Sequence, residues 1–228
     1  TKILENSFRT VNIAFIEEWR KFSEYLNIDL EKLINTIRLR KTHINIMMPG
    51  LGVGGNCLTK DPKFGELSSK IIFKKKLKFP ITNNALKINN QMLKSNIDKI
   101  EYYFKRNIKS IKKILIFGLS YKENVGDLRS SPSLFFLKNS IKKNIRLFWN
   151  DPFIKKLDNK KLIKIDNFNN FSKFDLVLFA VKHKEYNKIR FTKSSTKNTI
   201  IFDANYVLSK KQIEEINNNK IKFYSIGR

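Results

Sequence analysis

One cysteine stands in a context that suggests reactivity. Cys57 follows the glycine-rich run Gly-Val-Gly-Gly-Asn and precedes Lys60 and Asp61. Glycines allow backbone N–H groups to approach a ligand closely, and a thiol at the start of a helix beside a lysine is favoured as the thiolate. The same N–H groups can stabilise the oxyanion that forms when a thiolate attacks a carbonyl. We therefore predict a nucleophilic role for Cys57, against the alternative of a small buried apolar cysteine.

The glycine run also satisfies a second motif formally. Residues Gly50 to Gly55 fit the pattern G-x-G-x-x-G of dinucleotide-binding loops, which requires a preceding buried strand and an acidic residue about 20 positions later. Pro49 stands directly before the glycines, and the region near Ile72 is apolar and then basic. We therefore interpret the run as a loop that presents Cys57 and leaves room for a bulky substrate.

Composition argues against several classes of site. A single cysteine cannot form an intramolecular disulfide, and two histidines without a Cys/His cluster predict no metal centre. No segment approaches the roughly 18 uninterrupted apolar residues of a membrane span, and the first residues lack the order of a signal peptide. We expect a cytoplasmic protein without a membrane partner.

The formal net charge of +26 would ordinarily suggest a nucleic-acid partner. The lysines are scattered through every segment, however, and Lys, Asn, Ile and Phe are abundant together, which is typical of the codons of an AT-rich genome. We therefore predict no nucleic-acid binding. An anionic small substrate or an acidic surface partner stays open as an alternative use of the charge.

Apolar residues that recur every three or four positions predict helices in the first half of the chain. The pattern covers residues 2–26, 30–39 and 84–106, and residues 57–70 can be helical if Pro62 falls in the first turn. The helix over 84–106 places these apolar residues on one face: Leu86, Leu93, Ile97, Ile100 and Phe104. Such a face packs in a core or against a second subunit, and we expect a homodimer through the long helices.

The pattern changes near residue 112. Short β-rich apolar runs over residues 113–119, 145–149, 175–181 and 199–204 alternate with helix-like stretches over 133–142 and 209–217. This alternation predicts a parallel sheet flanked by helices. The predicted fold is α/β, with a domain boundary near Ser110. An all-helical domain covers residues 1–110, and a Rossmann-like parallel-sheet domain covers residues 111–228.

Three separated motifs span essentially the whole chain. They are Lys-Ile-Leu-Glu-Asn-Ser-Phe-Arg at residues 2–9 with Val-Asn-Ile-Ala at 11–14, the segment 49–61, and Gly-Leu-Ser-Tyr-Lys at 118–122 with Asp-Leu-Arg-Ser-Ser-Pro at 127–132. In this order and at these separations the chain resembles the UDP-sugar 6-dehydrogenases. The Pro-Gly before the glycine run and the Asp-Pro after Lys60 are more similar to the branch that oxidises UDP-N-acetylhexosamines than to the UDP-glucose branch.

The resemblance implies a two-step oxidation of a sugar 6-hydroxymethyl group to a carboxylate, with NAD as the hydride acceptor. It assigns Cys57 the capture of the aldehyde as a thiohemiacetal, which is oxidised to a thioester that water hydrolyses. It also implies that Lys2 and Asn6, four residues apart on one helix face, polarise the substrate oxygen and stabilise oxyanions, while Asp61 orients Lys2 or the hydrolytic water. From the residues alone, Lys2 and Asn6 indicate only a solvated helix face.

The resemblance implies binding residues as well. We expect the UDP-sugar substrate at Gly50, Gly52, Gly54, Tyr121 and Lys122, and NAD at Lys60 and Arg129. A lysine suits a diphosphate, and an arginine suits bidentate contacts. An alternative role for Arg129 is an ion pair with Asp127 across the turn, and Asp151 after the second strand is expected to be structural.

The N-terminal dinucleotide-binding domain that the resemblance implies is not within these 228 residues. We therefore expect the C-terminal portion of a longer enzyme, inactive as an isolated chain. The alternative is a non-catalytic UDP-sugar-binding or dimerising fragment of a split or decaying gene. A nucleic-acid-binding protein is the third reading and rests on charge alone.

Overall fold

The computed structural model describes the backbone of residues 1–107, 112–140, 145–166, 170–193, 196 and 198–228, and the side chains of these residues except 103–107. The chain divides into two compact units. The first unit comprises Thr1–Ser95 with Gly227–Arg228, and the second comprises Asn96–Ile226. The predicted domain boundary at residue 110 lies outside the described residues, so the division at that point stays a prediction.

The helical prediction for the first half is confirmed, and its elements are α1 (Lys2–Tyr25), α2 (Leu30–Ile37), α3 (Cys57–Lys60), α4 (Phe64–Ile71) and α5 (Pro80–Asn107). Helix α2 begins where Asp29 accepts a hydrogen bond from the backbone N–H of Lys32, which satisfies an otherwise unpaired donor. Helix α5 begins four residues earlier than the apolar pattern indicates, at Pro80 rather than Asn84.

Helix α1 buries a largely polar stripe. Its buried residues are Asn6, Thr10, Ala14, Ile16, Glu17, Arg20 and Ser23. Arg20 is paired within the stripe, at 2.6 Å to Glu17 and 2.5 Å to Glu24. Several of the apolar residues that give the helix its periodicity, including Phe8 and Phe15, are exposed instead. Periodicity therefore locates the helix, but it does not identify the face that is buried.

The long helix α5 behaves differently from α1. Leu86, Ile97 and Ile100 are buried, and Leu93 is half-buried. The side chain of Phe104 lies outside the described residues. The face that the sequence offers to a partner subunit is therefore largely covered in the single chain.

The segment after Cys57 is helical but interrupted. A 3-10 turn over Asp61–Lys63 separates α3 from α4. Pro62 lies at the start of that turn, where its missing N–H costs nothing. The turn buries Asp61 and Pro62 and leaves Lys63 exposed. The proline thus divides the predicted helix and turns Asp61 inward.

The second unit is a six-stranded sheet in the order β3-β2-β1-β4-β5-β6, and all its strand pairs are parallel. The strands are β1 (Lys113–Phe117), β2 (Arg146–Asn150), β3 (Leu162–Lys164), β4 (Leu176–Phe179), β5 (Ile200–Asp203) and β6 (Lys222–Ser225), with helices α6 (Pro132–Ser140) and α7 (Lys210–Asn218). This confirms the α/β prediction, with β3 and β6 as additional strands. The order is that of a doubly wound, Rossmann-like sheet.

The strand order reverses between β1 and β4, and ligands of such sheets bind beyond the carboxyl ends of the strands at this point. Gly118, directly after β1, has φ +89°. A Cβ atom there would lie 2.4 Å from the Cβ atom of Val181, which follows β4. Only glycine fits this close approach, so the loop after β1 begins at a tightly fixed point.

In the described part of the chain, no helix combines the length and the apolar composition that a bilayer crossing needs.

Candidate active site

Three of the residues assigned to catalysis meet in the first unit. Asn6 of α1 donates a hydrogen bond from Nδ2 to Oδ2 of Asp61 at 2.9 Å. Lys2, one helical turn earlier, places Nζ 3.6 Å from the same oxygen. Asn6 and Asp61 are both buried, whereas the Lys2 side chain is 73% exposed. Burial of Asn6 contradicts the simpler reading of a solvated helix face.

Hydrogen bonds fix the segment that carries Cys57. Thr59 donates from its hydroxyl to the carbonyl oxygens of Gly55 and Asn56, each at 3.1 Å. Thr10 of α1 donates to the carbonyl oxygen of Leu58 at 3.4 Å. Helix α3 is thereby attached to the helix that carries Lys2 and Asn6.

The Cys57 thiol is free and exposed at the first residue of α3. The helix has only one turn of four residues, so its macrodipole is smaller than that of the helix predicted over 57–70. Lys60 is exposed in the same turn. The thiol is accessible to a substrate, as a nucleophile must be.

The glycine loop before Cys57 is not a dinucleotide-binding turn. Residues 44–56, all of which the structure describes, contain no strand. Asn12 of α1 holds the entry to the loop through its amide, which donates to the carbonyl oxygen of Asn45 and accepts from the N–H of Met47, both at 2.9 Å. Gly50, Gly52 and Gly54 are half-buried. The beginning of the loop is therefore attached to α1, and its end leads directly into Cys57.

The second unit carries the other predicted substrate residues on the loop after β1. Tyr121 is half-buried, and its N–H donates to the carbonyl oxygen of Asp127 at 2.8 Å. Lys122 is exposed. The loop lies at the carboxyl end of β1, where the strand order reverses.

Arg129 makes the ion pair that the sequence offered as its alternative role. Its guanidinium donates to both carboxylate oxygens of Asp127, at 2.6 to 3.1 Å. These hydrogen bonds hold the pKa of Asp127 below its ordinary value. The predicted contact of Arg129 with NAD stays a prediction.

Sequence reasoning missed a buried cluster beside the same loop. Ser120 and His183 lie within hydrogen-bonding distance of Oδ2 of Asp151, at 3.1 and 3.2 Å. Burial pushes the pKa of Asp151 up, but hydrogen bonds from His183 and from backbone N–H groups outweigh burial and hold the pKa at about 2. The signal that could have found His183 is its position just after β4, at the reversal of strand order.

Within the described residues no group of His, Cys, Asp and Glu side chains has the arrangement of a metal site.

A helical unit that presents a thiol, followed by a doubly wound parallel sheet, defines a protein of the α/β class. Residues 1–91 match the central-domain model of the UDP-glucose/GDP-mannose dehydrogenase family, and residues 115–210 match the model of that family's UDP binding domain. The chain belongs to the UDP-glucose/GDP-mannose dehydrogenase family and carries its central and UDP-binding domains.

Individual relatives agree with this membership. The chain is 33% identical over 201 residues to the UDP-N-acetyl-D-mannosamine dehydrogenase of Campylobacter jejuni, covering 85% of the chain and 47% of that relative. It is 26% identical over 235 residues to the UDP-glucose 6-dehydrogenase of Rickettsia conorii, covering 99% of the chain and 53% of that relative. The chain thus spans about half the length of the curated relatives it matches.

The fold is also similar to solved structures of such enzymes. The UDP-N-acetyl-mannosamine dehydrogenase of Staphylococcus aureus superposes with a TM-score of 0.72 at 26% identity, over 100% of this chain and 49% of that one.

Proposed function

We propose that this chain is the catalytic-cysteine and UDP-binding portion of an NAD-dependent nucleotide-sugar 6-dehydrogenase. The observation that carries the proposal is the exposed Cys57 on a helix attached to α1, which also carries the Asn6–Asp61–Lys2 cluster, in a chain of this family. The reaction converts a 6-hydroxymethyl group to a carboxylate in two oxidations.

Cys57 is the nucleophile of the second oxidation. Its thiolate adds to the aldehyde carbon to give a thiohemiacetal, oxidation gives a thioester, and water releases the acid and regenerates the thiol. Covalent capture retains the aldehyde between the two oxidations. The exposure of the thiol supports this role.

The cluster on α1 supplies positive charge for oxyanions. The Lys2 ammonium is 73% exposed and lies one turn from Asn6, so it can approach a substrate oxygen. The Asn6 amide already donates a hydrogen bond to Asp61. This hydrogen bond supports a role of Asn6 in positioning Asp61 as much as a role in contacting the substrate oxygen. Asp61 is the carboxylate that both residues face.

We assign the substrate to the UDP-N-acetylhexosamines, with UDP-glucose as the alternative. The Pro-Gly and Asp-Pro that flank the cysteine motif support the first, and so do relatives named as UDP-N-acetyl-D-mannosamine dehydrogenases in Campylobacter jejuni and Methanocaldococcus jannaschii. The exposed Lys122 and the half-buried Tyr121 are the proposed diphosphate and nucleotide contacts.

NAD is the proposed hydride acceptor. The glycine loop has no preceding strand, so the described residues do not form a dinucleotide domain of their own around it. Lys60 is an exposed cation and suits a pyrophosphate. Arg129 suits a pyrophosphate as well, because its guanidinium has five N–H donors and can share them between Asp127 and the pyrophosphate.

A homodimer through the long helices remains part of the proposal, with α1 as the helix that offers free apolar surface. Phe8, Phe15, Trp19 and Phe22 are each about half exposed. Ring centroids lie 6.3 Å apart for Phe15 and Trp19 and 5.4 Å apart for Trp19 and Phe22. An exposed aromatic strip of this kind is typical of a surface that a partner covers.

The proposal is tested on the full-length natural protein. Cys57→Ser is expected to abolish formation of the acid, because a serine hydroxyl is a far weaker nucleophile than a thiolate. Lys63→Ala is the matched control, since it removes an exposed charge from the following turn and is expected to leave the rate unchanged. Unchanged acid formation by Cys57→Ser would sink the assignment.

The alternative function, a UDP-sugar-binding module without catalysis, predicts a different pattern. UDP-sugar would raise the melting temperature of such a module, and Lys122→Ala would remove this increase. The full-length protein, however, would form no acid even without a substitution.

A further inference from the structure

Three loops of the second unit meet at one buried cluster. Ser120 follows β1, Asp151 follows β2, and His183 follows β4, and all three are at most 1% exposed. Oδ2 of Asp151 accepts from the N–H groups of Leu119 and Ser120 at 2.7 and 3.0 Å. The beginning of the β1 loop is therefore attached to the end of β2.

His183 connects the end of that loop to its beginning. The N–H of Asn124 donates to Nδ1 of His183 at 2.9 Å, so the ring proton resides on Nε2. Nε2 lies 3.1 Å from the hydroxyl of Ser120 and 3.2 Å from Oδ2 of Asp151. The imidazole therefore links Ser120 and Asn124, the two ends of the segment that presents Tyr121 and Lys122.

Further contacts fix the imidazole itself. The rings of Phe153 and Tyr186 lie 5.1 and 5.4 Å from the His183 ring, and Tyr186 donates to the carbonyl oxygen of Asn150 at 2.9 Å. The side-chain oxygen of Asn124 also accepts from the N–H of Lys184 at 3.2 Å. Asn124 has φ +56°, a left-handed conformation that these contacts must maintain.

The cluster does not have the geometry of a nucleophilic triad. Ser120 and Asp151 face the same nitrogen of His183, so the imidazole cannot relay a proton from one to the other through its two nitrogens. Ser120 is also fully buried and out of reach of a substrate. The arrangement can hold a loop but cannot attack a carbonyl.

We propose that His183 is a positioning residue that holds the loop 120–124 closed, so that Lys122 is presented to the diphosphate of the nucleotide sugar. This inference rests on the proposed function, because that function supplies the diphosphate. Because the imidazole joins Ser120 and Asn124, the loop 120–124 is already ordered before the nucleotide sugar binds. Binding therefore does not cost the conformational entropy of ordering this loop.

The test measures binding of UDP and of uridine to this chain by calorimetry. His183→Phe keeps a ring beside Phe153 and Tyr186 but removes all three polar contacts of the imidazole, and we expect it to raise the Kd of UDP at least about tenfold. The Kd of uridine, which lacks the diphosphate, is expected to change less than about threefold on the same scale. His183→Asn keeps an acceptor for the N–H of Asn124 and should recover most of the UDP affinity.

A second comparison separates positioning from general damage. In a Lys122→Ala background, His183→Phe should have little further effect on the Kd of UDP, because the loop then has no ammonium to present and the N–H of Tyr121 still donates to the carbonyl oxygen of Asp127 at 2.8 Å. This inference alone would be overturned if His183→Phe bound UDP as tightly as the unaltered chain does. It would also be overturned if the losses of UDP binding free energy caused by His183→Phe and Lys122→Ala added fully in the double variant. Failure of the unaltered chain to bind UDP would overturn the proposed function and this inference with it. In a Trp19→Phe background, emission of the buried Trp149 checks that each variant is folded.

Discussion

Among the residues that the structure describes, Asp61 has two side-chain partners, Asn6 and Lys2, and the structure predicts that they contribute very unequally to its placement. The amide of Asn6 reaches Asp61 at 2.9 Å between two buried side chains. A buried hydrogen bond to a charged group contributes about 1.5–3 kcal/mol. The ammonium of Lys2 lies at 3.6 Å and is 73% exposed, and exposed ion pairs contribute about 0–1 kcal/mol. Asn6 should therefore dominate.

Double-mutant cycles on the free energy of unfolding measure each contribution. One cycle combines Asn6→Ala with Asp61→Ala, and the other combines Lys2→Ala with Asp61→Ala. We expect coupling energies of about 1.5–3 kcal/mol in the first cycle and below about 1 kcal/mol in the second. In 1 M NaCl the second coupling should vanish while the first persists, because salt screens exposed charges far more than buried ones.

Urea unfolding provides the assay. The chain has two tryptophans, Trp19 on α1 and Trp149 in the second unit. In a Trp149→Phe background, Trp19 is the single tryptophan, so its fluorescence reports the unit that contains Asp61. A larger coupling for Lys2 than for Asn6 would refute the reasoning, since it would mean that the ammonium, and not the amide, fixes the carboxylate.

Three further predictions concern stability and assembly. Gly118→Ala should destabilise the second unit by about 2–5 kcal/mol, because alanine would be strained in the left-handed conformation and would overlap Val181. The control Gly65→Ala lies in a helix, where the new Cβ atom meets only a side chain at 3.3 Å, and it should change stability by less than about 1 kcal/mol. Equal shifts of the two urea midpoints would contradict this prediction. The pKa of Asp151 is lowered to about 2, so the stability it contributes is present above pH 4 and is lost as the pH falls through 2. The destabilisation by Asp151→Asn, read from Trp149 fluorescence in a Trp19→Phe background, should accordingly shrink by about 2 kcal/mol between pH 5 and pH 2. A destabilisation that stays constant over this range would exclude a lowered pKa of Asp151. Phe15→Asp should shift the sedimentation of the full-length protein from dimer to monomer, and an unchanged dimer would exclude α1 as the interface.

Local patterns in the sequence predict most of the elements. The four apolar runs of the second half became β1, β2, β4 and β5, because buried parallel strands are nearly continuous in apolar residues. Strands β3 and β6 escaped detection because each has at most one fully buried residue, so neither produces such a run. Edge position therefore accounts for both omissions.

The site was predictable only in part. Cys57, Lys60 and Asp61 lie within one segment of five residues, and their local pattern suggested chemistry. The hydrogen bond between Asn6 and Asp61 joins residues 55 positions apart, and neither spacing nor periodicity encodes such a contact. The resemblance to a family singled out Lys2 and Asn6 as candidates, but it did not predict that Asn6 donates to Asp61.

The polar cluster around Asp61 and the one around Asp151 share one organisation. In each, a buried carboxylate accepts hydrogen bonds from the element that carries an exposed lysine: Asp61 from α1 with Lys2, and Asp151 from the β1 loop with Lys122. A lysine side chain has several rotatable bonds, so its usefulness to a substrate depends on a rigid backbone beneath it. Loss of either carboxylate should therefore weaken the interaction of the lysine with its ligand even where the lysine itself is unchanged.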